Sequence, residues 1–501
     1  MGNYAPGWMQ THEAPVTKKR GHEDVDSESD GDSDPDYLHT PKRKKLQTTS
    51  KYIFETLFIN GQNSDVTIRA LGKDWALHKV YLCQSGYFAS MFSGSWKESD
   101  ASIIAIDIPD NNIDEEALEV ALGSLYKDDV LISPSRVVTI LAAAALLQLD
   151  GLINQCSDIM TETMSTKTVC SYHGAATSYG LTEVATKCVE WLQRNLMLVQ
   201  SISLLRDLSI ELMEMLISSP NLFVLQVEMD VYTLTKKWVY LKLVPSWSGN
   251  LKQLSQDSDA YFRRFLRAGD LLKTERGKPF IKVFNGVRYQ HVINDFNSTR
   301  LLDRDKIIPK EWLFPIYKHQ WQTMLAIELG SDKGPTDMSA ETLGRHGMRC
   351  GRIIKKDGDY CWRWTGYNYG LDLLIMFSNR LIVCKRNSFN HPVTNSVSLA
   401  MKRNVVFRVT VMSYDTMGHV TYEKSSGLFK VGLGKDQEVI VMGVERHITF
   451  PLQVSFNAAF ITPNKDDPIK LELPVELTNE TPHVASDAKD SEDSGTNEIL
   501  L

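Results

Sequence analysis

Residues 64–94, SDVTIRALGKDWALHKVYLCQSGYFASMFSG, decide the fold of the N-terminal half of this chain. Asp65-Val66-Thr67-Ile68-Arg69 alternates apolar and polar side chains, the period of a strand with one buried face. Leu71 to Asp74 supplies a turn, and Trp75-Ala76-Leu77-His78 returns as the hairpin partner. From Lys79 to Phe92 the period changes: Leu82, Tyr87, Phe88, Met91 and Phe92 recur at helical intervals. Ile103 to Ile108, closed by Pro109, reads as a further strand. Hairpin, helix and returning strand together predict a small α/β unit.

Upstream, residues 52–62 read as a short helix with Ile53, Leu57 and Phe58 on one side. Downstream, helices dominate to about residue 243. Asp114 to Tyr126 places Ala117, Leu118, Ala121, Leu122 and Leu125 on one helical face. Ser133-Pro134 reads as an N-cap and first-turn pair opening a helix through Leu147. Thr182 to Leu196 and Glu228 to Leu243 read as further helices, and Pro245 to Asn250 as a hinge. Residues 260–330 are mixed, with Trp312 and Trp321 expected to anchor a compact unit. From Cys350 the pattern turns to strands. Leu371 to Phe377 and Arg380 to Lys385 form a hairpin about Ser378-Asn379. Val405, Phe407, Val409 and Val411 face one way, while Val406, Arg408, Thr410 and Met412 face the other. Asp415 to Gly418 and Gly432 to Asp436 are expected turns, and Val439 to Met442 and Ile448 to Phe456 expected strands. Short strands at such spacing predict an antiparallel sandwich or barrel.

A length of 501 residues exceeds one ordinary core, and 43% apolar with 23% charged residues is globular composition. The formal charge of −7 offers no global field for nucleic acid, so none is expected as a direct partner. Seven cysteines without a repeating spacing argue for reduced thiols in a cytosolic or nuclear chain. Val137 to Leu147 is the longest apolar stretch, well short of the ~20 residues that span a bilayer. The opening MGNYAPGWMQ lacks an apolar secretory core, and Pro6 stands where myristoylation favours Ser or Thr. Residues 1–50 hold too few aliphatic side chains to order themselves. Within them, eight carboxylates between Glu23 and Asp36 precede Lys42-Arg43-Lys44-Lys45. That basic run suits a nuclear-import peptide; the alternative is a solubilising charge block. The last forty residues, rich in Asp, Glu, Pro, Thr and Asn, read as a second tail.

Ser64-Asp65-Val66, His78-Lys79, Leu82, Ser85, Tyr87-Phe88 and Met91-Phe92 resemble the opening of a BTB (POZ) domain. Thr168 to Leu196, followed by Leu208 to Trp238, resembles the BACK helices that follow BTB in cullin-RING adaptors. Met348-Arg349-Cys350-Gly351-Arg352 and Tyr360-Cys361-Trp362-Arg363-Trp364-Thr365-Gly366 look like the C-terminal domain of the germ cell-less family. No kelch period and no Cys/His zinc-finger spacing follows the helices. The resemblance implies a multidomain α+β chain. Its expected parts are a tail (1–50), a BTB/POZ α/β domain (51–160), all-α BACK helices (161–245), a mixed connector (246–345), a β-rich sandwich-like domain (346–462) and a tail (463–501).

The same resemblance implies a non-catalytic substrate adaptor of a cullin-3 RING ubiquitin ligase, without cofactor. It would form a homodimer, be located in the nucleus, including its envelope or matrix, and act in germ-cell development and spermatogenesis. The rival reading is a BTB corepressor or nuclear scaffold. Cullin-3 contact is expected at Trp96 and Glu98, in the loop after the Phe-rich helix, and at Tyr126. Dimer contact is expected at Ile53, Phe54, Leu57 and Phe58, since residues 52–59 carry more apolar groups than one helix face can bury; packing within the same chain is the alternative. Trp362, Arg363, Trp364 and Tyr367 fit a substrate-peptide groove, a base-stacking surface or a sandwich-core edge. Cys350, Cys361, Cys384 and His391 could be imagined as a metal set, but they stand 11, 23 and 7 residues apart, matching no usual ligand pattern, and the cysteines read instead as strand-buried thiols. His78 reads as a structural histidine. Gly432-x-Gly434 reads as a turn, and Lys355-Lys356 and Lys402-Arg403 as solvated turns.

Overall fold

The computed structural model describes residues 48–94, 101–264, 269–329, 334–337, 339–365, 372–386, 401–415, 419–435 and 437–462. Lys42 to Lys45, Trp96, Glu98, Tyr367, His391 and residues 1–47, 95–100 and 463–501 lie outside them.

Helix α1 (Thr49–Ile53), capped by Thr48, runs directly into a π-helical turn, Phe54–Ile59. Strands β1 (Val66–Ala70) and β2 (Lys73–Leu77) form the expected hairpin about Leu71-Gly72, both at positive φ. The predicted helix over 79–92 is two pieces, α2 (Lys79–Leu82) and α3 (Gly86–Ser93). Ser85 breaks it: its hydroxyl caps α3 and donates to the Leu147 carbonyl at 2.5 Å. Strand β3 (Ile103–Ala105) lies parallel to β1, closing the sheet order β2-β1-β3. Helices α4 (Glu115–Gly123) and α5 (Val137–Leu146) follow and share its hydrophobic core. Helix α5 starts three residues later than Ser133-Pro134 suggested. Those two residues form a turn, with the Arg136 N–H donating to Ser133 O.

The helical array continues through α6 (Asp150–Glu162), α7 (Val169–Ser178), α8 (Thr182–Asn195), α9 (Ile202–Asp207), α10 (Ile210–Ser218) and α11 (Glu228–Leu243). Beyond it come α12 (Leu251–Arg264), α13 (Ile281–Asn285), α14 (Tyr289–Val292), α15 (Phe296–Asp305), α16 (Lys310–Glu328) and α17 (Ala340–His346). One hydrophobic cluster runs from Phe58 to Leu313, so the expected hinge at 245–250 does not divide the core. Trp247 is half-buried there, edge-on to Tyr240, and its indole N–H donates to Asp257 at 2.9 Å. Trp312 and Trp321 anchor nothing. They are 41% and 58% exposed on α16, whose buried side is carried by Leu313, Gln320 and Thr323.

The C-terminal unit is a two-sheet sandwich. Its strands are β4 (Met348–Ile354), β5 (Tyr360–Thr365), β6 (Asp372–Ser378), β7 (Leu381–Arg386), β8 (Lys402–Tyr414), β9 (Val420–Ser425), β10 (Phe429–Gly434), β11 (Glu438–Gly443) and β12 (Leu452–Ile461). One sheet runs β10-β8-β12-β4 with β9 on β8; the other runs β11-β7-β6-β5. Val405, Phe407, Val409 and Val411 do fill the shared core, against Phe377, Val441 and Phe456. Asn379 and Arg380, both at positive φ, make the β6–β7 turn. Gly432 and Gly434 are not a turn: they pair in β10 with Asn404 and Lys402. Arg403 is likewise no solvated turn, being buried within 3.5 Å of the Phe460 ring centre.

Candidate functional site

In the α/β unit, the last hairpin residue locks three elements together. The Tyr126 hydroxyl accepts from the His78 backbone N–H at 2.9 Å and lies 3.2 Å from its Nδ1. His78 Nε2 lies 2.8 Å from the Gln62 carbonyl, which can only accept, so Nε2 carries the proton and donates. The structural role expected of His78 is thus met by named partners. Tyr126 stacks on Tyr81 at 4.4 Å and tilts against Phe58 at 5.3 Å. It is 3% exposed, and burial pushes its hydroxyl pKa up to about 12. A side chain so enclosed presents almost no surface in the single chain and packs as part of its core. Tyr81, half-buried on α2 above it, is the residue that sequence reasoning passed over.

The N-terminal helix divides in a similar way. Phe58 is buried and stacks on Phe54 at 5.2 Å, so it belongs to this chain's own core rather than to an open face. Lys127 Nζ sits 4.3 Å over the Phe54 ring and covers one side of it. Ile53, Phe54 and Leu57 are half-buried, whereas Tyr52 and Ile59 are 55% and 57% exposed. The apolar surface open to a partner is therefore centred on Tyr52, Ile53, Leu57 and Ile59.

A second constellation joins the helices to the sandwich. Glu228, at the start of α11, is 1% exposed and forms a two-pronged pair with Arg349 of β4; Nε donates to Oε2 at 3.1 Å and Nη2 to Oε1. Arg349 Nη1 also donates to the carbonyls of Ile217 and Ser219, each at 2.8 Å. The Arg288 backbone N–H reaches Glu228 Oε1 at 3.0 Å, while its guanidinium donates to the Gly344 and Gly347 carbonyls. Burial pushes the Glu228 carboxyl up, but the Arg349 charge and hydrogen bonds outweigh it and hold the group below the usual carboxylate range. Gly351 completes the contact: a Cβ there would come within 2.6 Å of the Phe223 ring and 2.7 Å of Val224 O. Asn457 Nδ2 donates to Pro220 O at 3.0 Å and Gln453 Nε2 to Arg194 O at 3.2 Å. The sandwich is thus bolted to α8, α10 and α11. Sequence spacing gave no hint, because the partners stand 121 residues apart.

On β5 the aromatic-basic cluster is split by strand alternation. Trp362 is half-buried, packs against the sandwich core and stacks on Tyr360 at 6.2 Å. Arg363 and Cys361 point to the opposite, exposed side. Trp362 and Arg363 cannot share one binding surface, and Trp362 takes the core-edge alternative; the side chain of Trp364 lies outside the described residues. Cys350 and Cys384 are buried as expected, whereas Cys361 is exposed. Among the described residues no three His, Cys, Asp or Glu side chains cluster to hold a metal ion. Nor is any helix there long and apolar enough to cross a membrane.

A three-stranded sheet capped by paired helices and continued by a helical array is the architecture of a BTB protein, a class built for protein–protein contact. The BTB/POZ domain profile matches residues 54–164. The similarity extends well beyond that domain. Germ cell-less protein-like 1 of Homo sapiens is 53% identical over 439 residues, covering 87% of this chain and 85% of that protein. Protein germ cell-less of Drosophila melanogaster is 35% identical over 461 residues, covering 86% and 81%. Kelch-like protein 17 of Mus musculus is similar over 176 residues at 25% identity, 35% of this chain and 27% of that one. The chain belongs to the germ cell-less family.

Proposed function

We propose that this protein is a non-catalytic adaptor of a cullin-3 RING ubiquitin ligase that holds a target protein for ubiquitination. The BTB unit would pair with a second copy through Tyr52, Ile53, Leu57 and Ile59, and would grip cullin-3 through Trp96 and Glu98. The observation that carries the reading is the buried Glu228–Arg349–Arg288 junction. An adaptor accelerates transfer by holding a target near the conjugating enzyme, which is an effective-concentration device and needs a stiff arm. A sandwich bolted to the array that grows out of the BTB unit is such an arm. The similarity to kelch-like protein 17 over 176 residues, 35% of this chain, supports a shared scaffold-facing part joined to a different target-facing one. Nuclear location through Lys42 to Lys45, and a role in germ-cell development, complete the proposal.

Co-purification tests it. The tagged full chain should bring down cullin-3, and Trp96→Ala with Glu98→Ala should lose it while keeping the same melting temperature. Retention of cullin-3 by that double variant would refute the loop assignment. Absence of cullin-3 with the unaltered chain would favour a corepressor or scaffold.

A further inference from the structure

Where the helices and sandwich meet, a cavity of about 490 Å³ opens beside α16. Its wall includes Leu343 of α17, Val406 of β8, and Ala459 and Ile461 of β12, which form a small hydrophobic cluster of their own, apart from the two main cores. The wall is tied from behind. His291 of α14 is buried, and its Nε2 lies 2.7 Å from the carbonyl of His346 at the end of α17, which can only accept, so the ring donates. The last described residue stands at this same cavity. Strand β12 finishes at Ile461, and Thr462 is pinned beside it: its N–H donates to Pro335 O at 2.9 Å, and its hydroxyl accepts from the Gly334 N–H at 2.7 Å. Pro335 is itself a wall residue. The chain therefore leaves the sandwich on the wall of an apolar cavity.

We infer that this cavity receives the chain's own segment Ile469 to Leu477, laid back over it from Thr462. The segment reads IKLELPVEL: Ile469, Leu471, Leu473, Val475 and Leu477 fall at every second position, with Lys470, Glu472, Pro474 and Glu476 between them. Extended, such a sequence presents one apolar edge and one polar edge. Pro474 has no N–H to give to a ladder, which argues against an inner strand of the sandwich and suits a segment laid in a groove. The flanks, PNKDDP before it and TNETPH after it, are polar, so the apolar edge is confined to a short stretch. A pocket of this volume, within the ~300–1,000 Å³ range of ligand sites, takes a short stretch and not a folded surface. Reach decides between occupants. Six residues separate Thr462 from Ile469, an extended span of at most roughly 25 Å that starts on the cavity wall. A tether that short gives an effective concentration on the order of millimolar, so even a weak contact is mostly made. A target protein or a second copy lacks that advantage. The segment is a built-in occupant that any other ligand of this cavity must displace, and the inference does not rest on the adaptor reading.

The test compares the unaltered full chain with a variant carrying Leu471→Asp, Leu473→Asp and Val475→Asp together. All three positions lie outside the described residues, so the variant leaves both hydrophobic cores untouched. Hydrogen exchange at 340–346 and 458–462 should quicken by about tenfold, the ratio of a millimolar effective concentration to a contact of roughly 100 μM, while 372–386 keeps its protection. A labelled peptide of residues 463–480 should bind the variant, and bind the unaltered chain about tenfold more weakly because the tethered segment competes. The same peptide with the three substitutions should bind neither. Equal exchange in the two chains, equal peptide binding to both, or no binding to either would overturn the inference. Protection at 340–346 that falls away when the unaltered chain is diluted would overturn the tethered occupant in favour of a segment from a second copy.

Discussion

Replacing Arg349 with Met is the sharpest perturbation of the arm. It removes both prongs to Glu228 and the two bonds to the Ile217 and Ser219 carbonyls, leaving a carboxylate that is 1% exposed without its main partner. Breaking a buried pair from one side costs about 3–5 kcal/mol, because the remaining charge stays desolvated. Arg288 gives that carboxylate one hydrogen bond, from its backbone N–H, and its guanidinium charge acts without a direct bond, so only part of the loss is recovered. Adding Glu228→Gln should return part of the stability, since the orphan charge is then gone, making the double variant less damaged than additivity requires. Hydrogen exchange is the suitable assay, because a multidomain chain need not unfold in one step. Protection should fall at 217–224 and 348–354 while β6 and β7 keep theirs. The unaltered junction should also weaken in acid. The Glu228 carboxyl is held below its unfolded value of ~4.3, so its contribution is complete above that pH and is lost as pH drops through the folded value. A cost under about 1 kcal/mol for Arg349→Met, with unchanged exchange at both segments, would refute the reasoning.

Phe58→Ala should destabilise the BTB unit by about 3–5 kcal/mol in denaturant unfolding, as a buried ring is removed. Ile59→Lys should barely change stability yet convert the proposed dimer to monomer in light scattering. Tyr126→Phe should cost about 1–3 kcal/mol by stranding the His78 N–H, and should leave cullin-3 co-purification intact; loss of cullin-3 without loss of stability would restore Tyr126 as a contact. Gly351→Ala should destabilise the sandwich junction by about 1–3 kcal/mol, read in the same exchange experiment.

Local chemistry was legible in the sequence wherever it determined the outcome. The β1–β2 hairpin, the α11 limits and the inward row Val405, Phe407, Val409 and Val411 all follow from period alone. What escaped depended on distant partners. Ser85 interrupts the helix over 79–93 because a carbonyl 62 residues away accepts its hydroxyl. Pro245 to Asn250 carries turn residues, yet Trp247 packs back onto the array, so composition suggested a boundary that packing closes. Trp312 and Trp321 look like anchors on hydrophobicity alone, while the facing side of α16 supplies the burial. In the candidate sites, alternation along β5 was available and would have separated Trp362 from Arg363. Glu228 and His291 carried no sequence signal at all, since an ordinary surface Glu or His looks the same until the fold encloses it.

The most direct measurement is the mass of the complex formed by the purified full chain with purified cullin-3. The expected mass is that of a dimer of this chain carrying one cullin-3 on each copy, reduced to the bare dimer by Trp96→Ala with Glu98→Ala. A single copy that forms no complex at any cullin-3 concentration tested would contradict it.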